Sequence, residues 1–168
     1  MDVYEAIRAR RSVRSYRSDA VPEEVLKRIL EAARLAPSAR NRQEWRFVAV
    51  TDGEKIAALA EAANGQSFVA EAPVVLAFCA TRMHVMGCGV DAGVVDTSIP
   101  FSYVTLAAVA EGLGTCWLGA FDQERVRELL GAPDDVLVVG ITPLGYPAET
   151  PPARSRRPFD QVVSFGSW

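Results

Sequence analysis

The amino-acid sequence predicts a single α+β domain in which helices and strands are packed in layers. Stretches with apolar residues at helical spacing are mixed along the chain with short apolar stretches typical of strands. The 168 residues are 49% hydrophobic, which is enough to form one core without a metal ion or a disulfide. No internal repeat and no low-complexity segment divides the chain, so we expect one domain over residues 1–168.

Two helices are predicted in the N-terminal part. Asp2 and Glu5 have the spacing of a capping box, and they start a short helix that ends near Arg10. Pro22 occupies a first helical position, and the apolar residues that follow recur at helical spacing until Pro37. The second helix should therefore end just before Pro37.

The middle of the chain predicts the remaining elements in order. They are a strand at 45–51, a helix at 53–63, a buried strand at 74–80, a glycine-rich loop at 81–94, a helix at 96–111, a strand at 115–119, a helix at 122–130 and a strand at 136–144. Pro100 in the long helix would leave a hydrogen bond unmade or mark a later start. Residues 147–168 form a tail rich in proline and arginine, in which only 161–165 resemble a strand.

Composition narrows the function classes. The net charge of -3 and a pI near 5.3 disfavour a general nucleic-acid binder. Three cysteines in no framework pattern suit a reducing compartment and are expected to be small core residues. No continuous apolar run approaches the roughly 20 residues of a membrane span, and no leader precedes Asp2. We therefore expect a cytoplasmic protein without a membrane partner.

Two arginine clusters could bind an anion. The first contains Arg8, Arg10, Arg11, Ser12, Arg14 and Arg17, and the second contains Arg154, Arg156 and Arg157. Guanidinium groups with a nearby hydroxyl suit a phosphate, because they donate several charge-assisted hydrogen bonds. The two clusters could converge on one dianion, although a solvated surface would give the same pattern.

The segment from Pro37 to Trp45 places hydroxyl and amide groups between a helix and a strand. Loops held between rigid elements commonly bind ligands. The alternative is that Ser38 and Asn41 only cap and turn the chain.

These segments together resemble the nitroreductase-like FMN proteins. The motifs that carry the resemblance are RRSVRSY, APSARNRQEW, EGLGTCWLGAF, PLGYP and a final RSRRPFDQVV, which occur in the family's order over essentially the whole chain. The resemblance implies a nitroreductase-like α+β fold with a central, mostly antiparallel sheet flanked by helices. It also implies a homodimer with two FMN sites at its interface.

The resemblance further assigns residues to the cofactor. It implies that Arg10, Ser12, Arg154 and Arg156 bind the FMN phosphate and ribityl chain, with Arg11 joining through its backbone. Arg14 would face the pyrimidine edge of the flavin, where a cation stabilises the charge of the reduced ring.

Other matched positions would surround the flavin ring. Pro37, Ser38 and Asn41 would reach the flavin of the partner subunit, and Leu118 and Gly119 match a strand end whose backbone N–H points at N5. Asn64 and Gln66 lie where relatives offer an amide to the pyrimidine. Ser67 stands where a second basic residue is common, and Pro100-Phe101-Ser102-Tyr103 replaces small and amide residues, which bears on the choice of substrate.

The implied reaction is a ping-pong transfer of hydride. NADH or NADPH would reduce FMN and leave, and a nitroaromatic, quinone or other electron-poor small molecule would then take the electrons. The flavin carries the chemistry, so no side chain is assigned as a catalytic acid or base. The alternative is an FMN carrier or redox-responsive module without significant turnover.

Two further patterns carry little weight. Residues 87–92 match the dinucleotide fingerprint G-x-G-x-x-A, but six residues separate them from the preceding strand. Cys79, His84 and Cys88 lack a fourth ligand at zinc spacing, so no metal is expected.

Overall fold

A computed structural model describes all residues, 1–168, and contains six helices and four strands. The helices are α1 (Val3–Ala9), α2 (Glu23–Arg34), α3 (Gly53–Ala62), α4 (Phe68–Glu71), α5 (Ala92–Ala110) and α6 (Gln123–Leu130). The strands are β1 (Trp45–Val50), β2 (Val74–Ala80), β3 (Gly114–Thr115) and β4 (Leu137–Gly145). Two 3₁₀ turns cover Ala39–Asn41 and Phe159–Gln161.

The strands form one antiparallel sheet with the order β1-β2-β4-β3. Every residue of β2 is buried, because helices cover both faces of the sheet. One core cluster lies with α3 and α6 and includes Leu59, Val126 and Ile141. The other lies with α2 and α5 and includes Ile29 and Phe101. The predicted α+β fold with a mostly antiparallel sheet is confirmed.

Asp caps explain where several helices begin. Asp2, Asp52 and Asp122 each accept a backbone N–H from the first turn of α1, α3 and α6. At α1 the capping box is complete, since the Asp2 N–H also donates to Glu5. These starts agree with the sequence prediction.

The long helix differs from the prediction at its start. α5 begins at Ala92, not at Asp96, because the Asp91 side chain accepts the Val94 N–H at 3.2 Å and caps it. Pro100 lies inside the helix and neither breaks nor delays it. α5 is long and apolar enough to cross a membrane, but half of it is buried in this domain, where it packs on α2 and β2.

Two predicted strands were wrong in extent or kind. The third strand ends at Thr115, because the Thr142 hydroxyl accepts the Cys116 N–H at 3.0 Å and replaces a ladder bond. A single bridge to Ile141 follows at Leu118. In the tail, Gln161 to Phe165 is not a strand, since the segment has no neighbouring strand and forms a 3₁₀ turn at its start.

Candidate functional site

Most residues of the two arginine clusters lie around one cavity, whereas Arg17 pairs with Asp19 and Arg157 lies outside the lining. After α1 the chain runs along β3, where Ser12 pairs with Thr115 and the Val13 N–H donates to the Thr115 carbonyl at 3.0 Å. A cavity of about 450 Å³ separates this segment from residues 151–156 of the tail. Its polar lining consists of Arg8, Arg10, Arg11, Ser12, Arg14, Arg154 and Arg156. The structure therefore brings together side chains that are far apart in the sequence.

The positive charge of this arginine cavity is uncompensated. None of its guanidinium groups forms an ion pair with a carboxylate. Arg11 donates only to the carbonyls of Arg8 and Arg10, at 2.6 and 2.9 Å. Arg156 donates only to the carbonyls of Arg154 and Ser155, at 3.3 and 3.2 Å. Such a set of unpaired cations around a concave surface suits a ligand with a dianionic group.

The field of this cavity reaches the adjacent Cys116 thiol. Burial raises the pKa of Cys116, while Arg14, a hydrogen bond with Ser12 and Arg10 act in the opposite direction. Each of these opposing groups stabilises negative charge at that position. The positive charge of Arg10 and Arg14 therefore extends to the buried thiol behind the cavity.

Arg14 is held at the rim by its backbone. Its backbone N–H donates to Glu149 Oε1 at 2.7 Å. Its guanidinium is exposed and forms no ion pair. Two residues on, the Tyr16 N–H donates to Glu71 Oε2 at 3.0 Å, and the buried Tyr16 hydroxyl donates to the Val13 carbonyl at 2.7 Å. Burial raises the pKa of Tyr16, so the hydroxyl keeps its proton and this bond. Acidic residues that the sequence analysis did not single out thus fix the arginine segment.

A second group of predicted residues lies near the end of the Leu118 bridge. The Leu118 N–H already donates to the Ile141 carbonyl at 2.9 Å. The Gly119 N–H, by contrast, donates to no protein acceptor, and Gly119 is exposed. Of the two backbone donors expected here, only that of Gly119 is available to a ligand.

The amide pair lies beside this segment. Gln66 Nε2 donates to the Ala63 carbonyl at 2.9 Å and lies 3.5 Å from the Ala120 carbonyl. Asn64 is exposed and has a positive φ of 59°, which a turn at this point requires. The turn that carries Asn64 and Gln66 is therefore a neighbour of Gly119 and Ala120.

The loop with Pro37, Ser38 and Asn41 lies at the opposite end of the sheet. It leads into Trp45, which pairs with Ala80 at one end of β2, whereas the arginine segment adjoins the other end through Thr115 and Leu144. The length of β2 separates these ends by roughly 20 Å at the rise of an antiparallel strand. One chain therefore does not bring this loop to its own arginine cavity.

The conformation of that loop is strained and specifically held. Arg40, Asn41 and Gln43 all have φ near 54–55°, a region that costs non-glycine residues about 1 kcal/mol or more each. The buried Asp96 of α5 accepts the Ala39 N–H with both oxygens at 3.1 Å, and Ser38 Oγ accepts the Gln43 N–H at 3.0 Å. A buried carboxylate in an apolar helix was the signal in the sequence for this anchor.

The glycine pattern at residues 87–92 and the three cysteines have structural explanations. The glycines of residues 87–92 form a turn, in which the Met86 N–H donates to the Val90 carbonyl, and no strand leads directly into α5. Cys79 and Cys116 are buried, as expected of core cysteines, whereas Cys88 is exposed in this turn. No group of three or more His, Cys, Asp or Glu side chains is placed to hold a metal ion.

The fold is α+β, and a cavity lined by arginines lies between its N-terminal segment and its tail. Residues 7–87 and 64–146 match the model of the Nitroreductase family in two overlapping segments. The chain belongs to the nitroreductase family.

Curated relatives and solved structures agree with this assignment. A protein named NADH dehydrogenase from Thermus thermophilus is 37% identical over 195 residues, which cover 97% of this chain and 95% of the relative. An FMN reductase (NAD(P)H) from Bacillus subtilis is 32% identical, and the match covers 96% of this chain and 72% of the relative.

Among solved structures, the NADPH:FMN oxidoreductase from Vibrio harveyi, complexed with NAD+, superposes with a TM-score of 0.90 at 30% identity, and 99% of this chain and 77% of that chain are covered. An FMN-dependent nitroreductase from Clostridium difficile R20291 superposes with a TM-score of 0.85 at 30% identity. The match covers 98% of this chain and 99% of that chain.

Proposed function

We infer that this chain is an FMN-dependent NAD(P)H oxidoreductase that reduces electron-poor small molecules such as nitroaromatics or quinones. The observation that carries the inference is the cavity of unpaired arginines in a nitroreductase fold. A phosphate monoester would satisfy these guanidinium groups, so the residues present fit FMN. Relatives named as FMN reductase and NADPH-flavin oxidoreductase support the same reaction class.

In this proposal the arginine cavity binds the phosphate end of FMN. Arg10, Ser12, Arg154 and Arg156 donate to the phosphate, and Arg11 contributes through its backbone. Arg14 lies at the pyrimidine edge, and Asn64 and Gln66 offer amides to the same ring. The free N–H of Gly119 is the donor to N5, and Leu118 supports it through its bridge to Ile141.

The site is completed by a second copy of the chain. Pro37, Ser38 and Asn41 precede the end of β1 that pairs with Ala80, whereas the arginine cavity adjoins the other end of β2, roughly 20 Å along that strand. A homodimer in which this loop reaches the partner's flavin reconciles that separation with the family resemblance. Exposed apolar residues on α1, α5 and the tail, among them Tyr4, Tyr103 and Phe165, supply a surface for such an interface.

FMN supplies reversible hydride transfer when bound. The chain's own residues hold the phosphate, orient the ring by Gly119 and the amides, and place a cation at Arg14. NAD(P)H and the acceptor would bind in turn in one pocket beside these residues, so ping-pong kinetics are expected. With three free cysteines and a nicotinamide donor, the protein is expected in the reducing cytoplasm.

Purification and anaerobic kinetics test the proposal. The protein should be yellow, release FMN and not FAD on denaturation, and oxidise NADH or NADPH with saturation by an acceptor. A flavin-binding carrier would be yellow but would show no such turnover. A colourless protein that takes up no added FMN would refute the proposal.

The phosphate site can be tested separately with the tail arginines. Arg154→Ala with Arg156→Ala should weaken FMN binding by several kcal/mol, since charge-assisted hydrogen bonds contribute about 1.5–3 kcal/mol each. Arg157 is the matched control, because it has the same charge in the same tail but does not line the cavity. Equal FMN affinity in the double variant and in Arg157→Ala would place the phosphate elsewhere.

A further inference from the structure

A second basic site, separate from the arginine cavity, lies at the far end of the sheet. It consists of Arg42, Arg82 and His84 around Glu44, together with Arg40 on the adjacent cavity, and we call it the Glu44 site. A cavity of about 260 Å³ is lined by Arg40, Arg42 and His84 together with Ala39 and residues 85–87. Its members come from two segments, the loop before β1 and the loop after β2.

The polar groups of the Glu44 site are poorly satisfied within the chain. Arg42 and Arg82 approach the Glu44 carboxylate only to 3.9 Å, and neither donates a hydrogen bond to it. His84 Nδ1 lies 3.2 Å from Glu44 Oε2, yet both atoms are buried and lack a hydrogen bond of good geometry. Unsatisfied buried polar atoms are rare in native proteins. An anion can accept a hydrogen bond from the His84 ring, whereas Glu44 Oε2 needs a donor.

The charges around the cavity favour an anion. Arg42 and Arg82 share the single carboxylate of Glu44 with His84, and Arg40 has no ion pair. Neither nearby acidic residue forms an ion pair with these arginines: the buried Asp96 accepts the Ala39 N–H, and Asp91 Oδ1 accepts the Val94 N–H. The site therefore retains donors for an anionic group of the size of a phosphate.

The location of the Glu44 site relates it to the reaction. Arg40 lies between Ser38 and Asn41, in the loop that the proposed function places at the partner's flavin. An anion bound at Arg40 and Arg42 would then lie at the mouth of the partner's active site. NAD(P)H is a substrate of that site that carries phosphate groups away from its reacting ring.

We propose that the Glu44 site binds the phosphate groups of the nicotinamide dinucleotide that reduces the flavin of the partner subunit. Arg40 and Arg42 donate to phosphate oxygens, and the Glu44 carboxylate attracts Arg42 and Arg82 from within 3.9 Å. The proposal rests on the proposed function, since it requires the shared dimeric site. It makes these residues determinants of dinucleotide affinity, outside the flavin-binding machinery.

The experiment uses FMN-loaded enzyme and two non-reducible probes, ADP-ribose and 2′-phospho-ADP-ribose. The variants are Arg40→Asn, which tolerates the positive φ at this position, Arg42→Gln and the double variant. Arg28→Gln is the matched control, because it also removes one exposed arginine, but one that lies away from the Glu44 site. Arg28 pairs with Glu111, which follows the C-terminal end of α5. Calorimetry gives the affinity of each probe, and steady-state kinetics give KM and kcat for NADH and NADPH.

Each single variant should weaken probe binding by about tenfold and the double variant by about a hundredfold, because each loses one charge-assisted contact. KM for the dinucleotide should rise more than kcat falls. Loss for both probes would assign the site to the pyrophosphate, and loss for 2′-phospho-ADP-ribose alone would assign it to the 2′-phosphate. Equal affinities in wild type and the double variant would overturn the proposal, as would an equal loss in Arg28→Gln.

The result also separates this proposal from the proposed function. If wild type oxidises no NAD(P)H but binds the probes through Arg40 and Arg42, the oxidoreductase assignment fails and the binding site stands. If turnover is normal and probe binding ignores both arginines, the binding site fails alone. Thermal melting and the flavin spectrum of each variant exclude unfolding as the cause.

Discussion

Arg14 is the residue whose charge should matter most to the flavin's electronics. Its guanidinium has no carboxylate partner, and Glu149 fixes its backbone at the rim of the arginine cavity. A cation at the pyrimidine edge favours the negative charge that reduction places there, and more strongly where water is excluded. Arg14→Ala should therefore lower the reduction potential, by about 20 mV for each kcal/mol of lost preference in a two-electron couple. A redox titration measures this shift.

Arg14→Lys is the matched control, since it keeps the charge and should keep most of the potential. FMN binding in the oxidised state should suffer less in Arg14→Ala than in the double variant of Arg154 and Arg156. A potential equal to that of wild type would show that Arg14 only contributes to the phosphate grip or to the surface charge.

At the scale of elements, α5 supplies Phe101, Val104 and Ala108 to the core cluster that it shares with α2. Phe101 is fully buried and stacks between Phe78 and Trp117, with ring centroids 4.1 and 3.5 Å away. Phe101→Ala should lower the free energy of unfolding by about 3–5 kcal/mol, because it removes the ring and leaves a cavity. Urea denaturation measures the change. Phe101→Leu keeps much of the volume and should lose clearly less, and an equal loss would argue against packing as the cause.

The same elements show what could be predicted from the sequence. The starts of α1, α3 and α6 were predictable because a local Asp caps each of them. The start of α5 was not, because its cap, Asp91, lies in a glycine-rich segment that has no helical pattern of its own. The third strand ended early through a tertiary contact, the bond from Cys116 to Thr142, which no local pattern records.

The candidate site also contains residues that the sequence predicted and residues that it did not. The family motifs predicted the arginine residues, and their convergence in one cavity depends on the pairing of Ser12 with Thr115. Glu44 and His84 were not predicted as partners, because forty residues of chain separate them and only the pairing of β1 with β2 brings them together. Local sequence patterns therefore identify the residues of a motif. The pairing of strands in the sheet determines which motifs lie next to each other in space.

For the whole molecule, the exposed apolar surface predicts self-association. Large hydrophobic side chains are exposed on α1, on α5 and in the tail, namely Val3, Tyr4, Ile7, Val94, Val95, Tyr103, Phe159, Val162, Phe165 and Trp168. On α5, Val94, Val95 and Tyr103 line one shallow apolar cavity, and contiguous exposed apolar surface marks sites that contact another protein. Light scattering should therefore give the mass of a dimer. A monomer that binds FMN tightly would exclude a shared site.

Complementation between two inactive variants tests the shared site directly. One variant carries Arg154→Ala and Arg156→Ala, and the other carries Ser38→Ala and Asn41→Ala. Each homodimer should bind FMN poorly, because both of its sites lack one half. In a mixed dimer with a two-fold axis, one site receives both defects and the other receives none. Co-expression should therefore restore about a quarter of the wild-type sites if the chains associate at random. Flavin content per dimer measures the recovery, and co-expressed wild type sets the scale. If the mixture recovers nothing while both variants remain folded and dimeric, the loop and the arginine cavity serve the same chain, and the shared-site arrangement is wrong.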